Sequence, residues 1–217
     1  MKLRSKPTPL GQPDGEYHIR RNPEMLFYLY LPIKLRDQSA SIPKILKAVP
    51  PRLKPFKQVI EQCLEAERWR FGGNYQDKYV YLTIKTLFVT PEYIGGRPGW
   101  HTDGFGTEDT NYIWASDTPT EFCVQDFDVS TDEHKSINDM TEQARTKNIK
   151  TYGTQLVRIT PDDVHRCPVV ESPRLRTFFR LSISDEQYNM AGNSHNYMLD
   201  YEWPLAERGV ERNKTAS

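Results

Sequence analysis

Two kinds of hydrophobic spacing divide the chain. From residue 56 to residue 70 the apolar positions recur at helical intervals. Phe56, Val59, Ile60, Cys63 and Leu64 fall on one side of a 3.6-residue repeat, and Trp69 extends the stripe. Pro55 suits the first helical position, and Gly72-Gly73-Asn74 stops the helix. Beyond that point the spacing shortens. Tyr79–Val89 (YVYLTIKTLFV) is rich in β-branched and aromatic residues and closes at Pro91, which predicts a long strand. Further strand-like runs cover residues 100–103, 111–116, 120–127, 155–159, 164–170 and 177–184. Asp117-Thr118-Pro119 reads as the turn that makes a pair of the second and third. The apolar run 25–35 predicts a strand that Pro32 either ends or places at a sheet edge. Prolines at 43, 50, 51 and 55 leave room for a short helical turn. A polar stretch, 128–150, has space for a short helix over 136–145.

Many short strands separated by turns and preceded by one helix predict a mainly β (α+β) chain built as a sandwich or barrel. The organisation read from the pattern is one domain. Residues 1–24 carry no period and read as an arm. Residues 25–75 hold a strand and the supporting helix, 76–185 the β core, and 186–217 an Asn-, Gly- and charge-rich extension. A length of 217 residues suits that plan and allows a core that needs no staples. No apolar run approaches the ~20 residues of a membrane span, and the basic start has no apolar stretch behind it to make a secretory signal. Cys63, Cys123 and Cys167 lie far apart without C-x-x-C spacing, which reads as reduced thiols in a cytoplasmic protein.

Charge changes this picture in one respect. The 29 Lys and Arg balance 29 Asp and Glu, which disfavours nucleic-acid binding by bulk charge. The balance is uneven along the chain. Residues 1–70 hold 14 basic and 7 acidic side chains, and residues 71–140 hold 4 and 12. The acidic middle is where a cation site is expected.

That segment contains His101 and Asp103. On a strand, residues i and i+2 point to one face, so an imidazole and a carboxylate converge. His165, opening a strand after Pro161-Asp162-Asp163, supplies a third ligand. Two histidines and one carboxylate make the facial triad that holds non-haem Fe(II) with positions left open. A closed structural zinc site would take a fourth ligand, and no cysteine is suitably placed. In the last strand, alternation puts Arg176, Phe178, Arg180, Ser182 and Ser184 on one face. Thr177, Phe179, Leu181 and Ile183 lie on the other. An arginine inside a barrel is costly unless it meets an anion, and Arg180 with Ser182 offers a fork plus a hydroxyl for a carboxylate.

His101-Thr102-Asp103, then His165, then Arg180-Leu181-Ser182 resembles the Fe(II)- and 2-oxoglutarate-dependent dioxygenases, over residues 79–184. The resemblance implies a double-stranded β-helix of the jelly-roll or cupin-like kind. It implies Fe(II) on His101, Asp103 and His165, and 2-oxoglutarate with its far carboxylate on Arg180 and Ser182. O₂ would be the oxidant, with succinate and CO₂ released as a small-molecule substrate is oxidised. Asp103 stands where the related halogenases carry a small residue, which implies hydroxylase chemistry. Thr120 resembles a strand threonine that contacts 2-oxoglutarate in some members; Tyr81, Thr83 and Lys85 are alternatives. Arg176 faces the same way as Arg180 and is a further candidate for cosubstrate or substrate. His18, His134 and His195 read as surface residues. Trp100, Phe105 and Trp114 suit either a pocket wall or packing. Other outcomes remain open: the same chemistry on a nucleobase or a protein side chain, or a cupin-like metal protein that does not use 2-oxoglutarate. The loops 90–110, 128–150 and 185–217, where specificity would reside, spell no substrate, and nothing sets the oligomeric state.

Overall fold

The computed structural model describes residues 1–21 and 24–208. Strands β1 (Lys2–Arg4) and β2 (Thr8–Pro9) and a helical turn, α1 (Glu16–Arg20), come first. Strand β3 (Leu26–Lys34) leads into α2 (Ile42–Lys47), a 3-10 turn (Pro51–Phe56) and α3 (Lys57–Glu65), which continues as a π turn (Ala66–Arg70). There follow β4 (Tyr79–Val89), β5 (Thr110–Ala115), β6 (Glu121–Cys123), β7 (Asp126–Asp128) and α4 (Glu133–Gln143). Strands β8 (Ile149–Lys150), β9 (Val157–Ile159), β10 (His165–Arg166) and β11 (Arg174–Ser184) complete the order. All the strand pairings are antiparallel. A large sheet runs β2-β9-β5-β11-β4-β3, a small one β10-β6-β8, and β1 pairs with β7.

Strands β4 and β11 pair along their whole length, from Val89↔Arg174 to Tyr79↔Ser184. Their alternation separates two environments. Val80, Leu82 and Ile84 of β4 and Phe179, Leu181 and Ile183 of β11 face the helices. There they form one core with Phe56, Val59, Ile60, Cys63 and Leu64. Phe56 and Phe179 stack with ring centroids 6.2 Å apart. The opposite face carries Tyr81, Thr83 and Lys85 beside Arg176, Phe178, Arg180 and Ser182. Phe178 joins Ile113, Phe122, Val157 and Ile159 in an apolar cluster shared by the large and small sheets. On the far side of the small sheet, Cys123 and Val164 pack with Leu3, Trp100, Phe127 and Met140 of α4. Asp132 caps α4 by accepting from the Lys135 amide at 3.0 Å.

The helical stripe departs from a regular α-helix at its end. The π turn directs Glu67 into the sheet, where its carboxylate accepts from Tyr112 Oη (2.6 Å) and Arg158 Nε (3.0 Å). A side chain at Gly73 would collide with that carboxylate. Trp69 is consequently turned outward and is 73% exposed, so it is no part of the stripe. Strand β3 is the sheet edge that Pro32 required.

Other expectations are corrected. The stretch read as an arm, within residues 1–21, contains strands: β1 and β2 pair with β7 and β9, and Leu3 is buried. Residues 100–103 form no strand, because Gly99 and Gly104 take positive φ and only His101 makes a bridge. Residues 120–127 split into β6 and β7. Strands β5 and β6 do not pair, since Thr118, at φ +44°, and Pro119 send the chain across to the small sheet. Strand β10 is confined to two residues. No described helix is long and apolar enough to cross a membrane.

Phe179→Ala should lower the unfolding free energy by about 3–5 kcal/mol. Trp69→Ala should change it by less than about 0.5 kcal/mol. Urea denaturation of both variants checks the corrected stripe.

Candidate metal centre

His101 and His165 exchange both backbone hydrogen bonds: the His101 amide donates to the His165 carbonyl at 2.9 Å, and the reverse bond is 2.8 Å. This bridge sets the two rings 4.6 Å apart at their centroids. Each ring is oriented by its own local carbonyl. His101 Nδ1 lies 2.9 Å from the Gly99 oxygen, and His165 Nδ1 lies 2.9 Å from the Asp163 oxygen. A carbonyl can only accept, so each Nδ1 carries a hydrogen and Nε2 is the ring position left to meet a metal. Asp103 follows the bridge, with Oδ2 3.7 Å from His165 Nε2. The ligand atoms of His101, Asp103 and His165 all lie within 4.8 Å of one another. Two neutral imidazoles and a carboxylate fit a first-row divalent ion.

The turn before His165 is pinned at several points. Asp163 accepts from the Lys6 amide (2.7 Å) and from the Thr160 amide (2.8 Å), and the Val164 amide donates to Ser5 Oγ at 3.0 Å. Ser5 and Lys6, in the stretch read as an arm, thus help to hold His165 in place.

Burial, then the neighbouring His165, pushes the His101 imidazole down to about 3, so it is neutral and ready to ligate. Burial opposes ionisation of Asp103, but Arg180, His165 and His101 outweigh it and hold the carboxyl well below the usual range. Burial likewise opposes charge on His165, and the adjacent Asp103 carboxylate overcomes it and raises that imidazole, so a metal would take the place of a proton on His165 Nε2.

The structure brings His101, Asp103, His165 and Arg180 together. Arg180 Nη1 donates to Asp103 Oδ2 at 2.6 Å, and its Nε has no partner. Ser182 lies on the same face, but its hydroxyl donates to Asn111 Oδ1 at 2.5 Å. The expected Arg180–Ser182 fork is thus engaged by two internal acceptors, because a buried cation and a buried hydroxyl each need a partner. Arg176 shares the face, and its Nε lies 3.2 Å from the Asp117 carbonyl and 3.3 Å from that of Thr118. Lys85 stands opposite Phe178, between the two arginines in register. Burial, followed by the charge of Arg180, pushes its amine down to about 8. Thr120 lines a cleft with Ile113, Phe122, Tyr152 and Val157. Trp100 and Trp114 pack in the two outer cores, Phe105 against the first of them, and His18, His134 and His195 are exposed.

Sequence reasoning missed Tyr30 and Tyr188. The Tyr30 ring lies 4.6 Å from the Arg180 guanidinium carbon and 4.7 Å from the Tyr188 ring. Neither residue stands at a spacing that marks it. No protein-family model matches the chain, and neither does any curated protein or solved structure.

Two results test this centre. Titration with Co(II) should develop visible d–d absorption in the parent protein and lose it in His101→Ala and His165→Ala. Asp103→Ala, which strands a buried guanidinium, should cost about 3–5 kcal/mol of stability in metal-free urea unfolding.

Proposed function

We propose that the protein is a non-haem Fe(II)- and 2-oxoglutarate-dependent oxygenase that hydroxylates a small-molecule substrate. The observation that carries this reading is the charge beside the ligand cluster. Three cationic side chains, Lys85, Arg176 and Arg180, share one face of the β4–β11 pair; Asp103 of the triad acts on Lys85 and Arg180, and Asp117 on Arg176. A dicarboxylate supplies the missing negative charge. The strand orders support the double-stranded β-helix. In this proposal the set β9-β5-β11-β4 and the small sheet β10-β6-β8, which share the apolar cluster around Phe178, would be the two sheets of a jelly roll.

Iron bound with 2-oxoglutarate and O₂ supplies the oxidising power, with succinate and CO₂ as the coproducts. The chain's own part is placement. His101 and His165 present Nε2 in fixed tautomers. Arg180 holds Asp103 through Oδ2, the same oxygen that faces His165 Nε2, and so orients the carboxylate toward the metal position. In this proposal Lys85 shares the cosubstrate carboxylate with Arg180, and Arg176 extends the cationic strip; Ser182 supports it through Asn111. The zero net charge favours a small molecule over nucleic acid as substrate.

Anaerobic addition of Fe(II) and 2-oxoglutarate should produce the visible metal-to-ligand charge-transfer band, and His101→Ala should abolish substrate-dependent succinate formation. Co(II) binding without that band would favour a cupin-like metal protein instead. Lys85 is an anion receptor only when protonated. Affinity for 2-oxoglutarate should therefore be highest below pH 8 and fall as the pH rises through about 8. Calorimetry across that range should show the fall in the parent and a flat profile in Lys85→Met.

A further inference from the structure

Tyr30 combines a strained backbone with a contact to the ligand cluster. It is one of two non-glycine residues at positive φ among those described, at +47°. It sits where the β3–β4 register breaks, between the pairs Tyr28↔Ile84 and Leu31↔Leu82. A bulge of this kind turns a strand residue out of its alternation and re-aims its side chain.

The bulge is supported from both sides. Its inner amide, that of Tyr30, donates to Thr83 Oγ1 at 3.1 Å. Its outer groups meet the C-terminal segment: the Leu29 amide donates to Ser194 Oγ (2.9 Å), and the Ser194 amide donates to the Leu29 oxygen (2.8 Å). An aromatic residue persists in a strained conformation when its surroundings over-determine it, and such residues gather at functional sites. What the strain achieves here is the position of one ring. Tyr30 lies over the Arg180 guanidinium at 4.6 Å, and Tyr188 backs it at 4.7 Å. The phenol of Tyr188 is fixed in turn by donating to Asp109.

We infer that Tyr30 is a positioning residue that clamps Arg180 onto Asp103 and so sets the orientation of the metal-binding carboxylate. The guanidinium is a flat, delocalised cation that an aromatic face holds by cation–π attraction. Without the face, Arg180 is free to swing on its side chain, and Asp103 loses the partner that fixes its rotamer. Outer-shell partners of metal-ligating groups act in this way. The clamp itself stands on metal-free geometry, and only its effect on the metal rests on the function proposed above.

The test has two arms. In metal-free protein, Tyr30→Leu keeps a side chain at the strained position but removes the ring. It should lower the thermal midpoint by about 2–4 °C in the parent and by clearly less in an Arg180→Met background, where only the Tyr188 contact is lost. Equal losses in both backgrounds would overturn the clamp. In the second arm, Tyr30→Leu should weaken Co(II) binding about 10–100-fold and alter the d–d band shape, as loss of an outer-shell partner does. Tyr30→Phe, which keeps the ring, should leave both unchanged. A Tyr30→Leu protein that binds Co(II) with parental affinity and spectrum refutes the positioning role. Failure of the parent to bind Co(II) would refute the metal reading, while the first arm still decides the clamp.

Discussion

An arginine buried between sheets must find an anion, and in this protein Arg180 finds Asp103. Most of what is distinctive about the site depends on that pair. Removing a guanidinium and a carboxylate from water costs several kcal/mol per ion, and only close, well-aligned contact offsets it. The 2.6 Å bond between them ties β11, the spine of the large sheet, to the loop that leaves the small sheet after His101. The bond also keeps Asp103 ionised, as a metal ligand must be. A structural contact and a chemical requirement are met by the same two atoms.

Around that pair the protein works by restraint rather than by number of ligands. Both histidines are steered by the carbonyl two residues upstream, so each ring's tautomer is set by the local backbone. Their mutual bridge is made of main-chain atoms, which no side-chain substitution at 101 or 165 removes. The cluster is therefore held by main-chain restraints where the two rings meet, and beside it Lys85, Arg176 and Arg180 share one face of the β4–β11 pair.

Long periodic elements were legible in the sequence, and contacts between elements were not. Strand β4 was readable to the residue because β-branched and aromatic residues fill it and a proline closes it. Strand β11 was readable nearly as well, and its alternation placed Arg180 and Ser182 on the face turned from the helical core. The three residues of the cluster were named from their types and order, although the strand alternation invoked for His101 and Asp103 is absent, since residues 100–103 make only the His101 bridge. By contrast, β6, β7 and β10 are two or three residues long, too short for any period, and side chains such as those of Asp163 and Ser5 define their ends. The partners of Arg180 and Ser182 could not be read either. Pairing to Asp103 and Asn111 is decided across strands, and in sequence those residues look like a ligand and an ordinary strand polar residue. Trp69 was misplaced because one π turn shifts the phase of the stripe, a change that composition does not signal. Tyr30 was hidden for a similar reason, since a bulge cancels the alternation by which an inward residue is recognised.

The anchoring of His165 by Ser5 and Lys6 has a kinetic consequence. The Ser5–Val164 hydrogen bond joins positions 159 residues apart, and the Lys6–Asp163 bond spans 157. The closure cost grows only slowly with loop length, but contacts of such separation raise the share of non-local pairings on which folding depends. During synthesis the first strands wait, unpaired, until β7, β9 and the His165 turn have been made. The placement of His165 thus depends on pairing between distant parts of the chain, and a truncation of the first strands would disturb the His101–Asp103–His165 cluster without touching any of its residues.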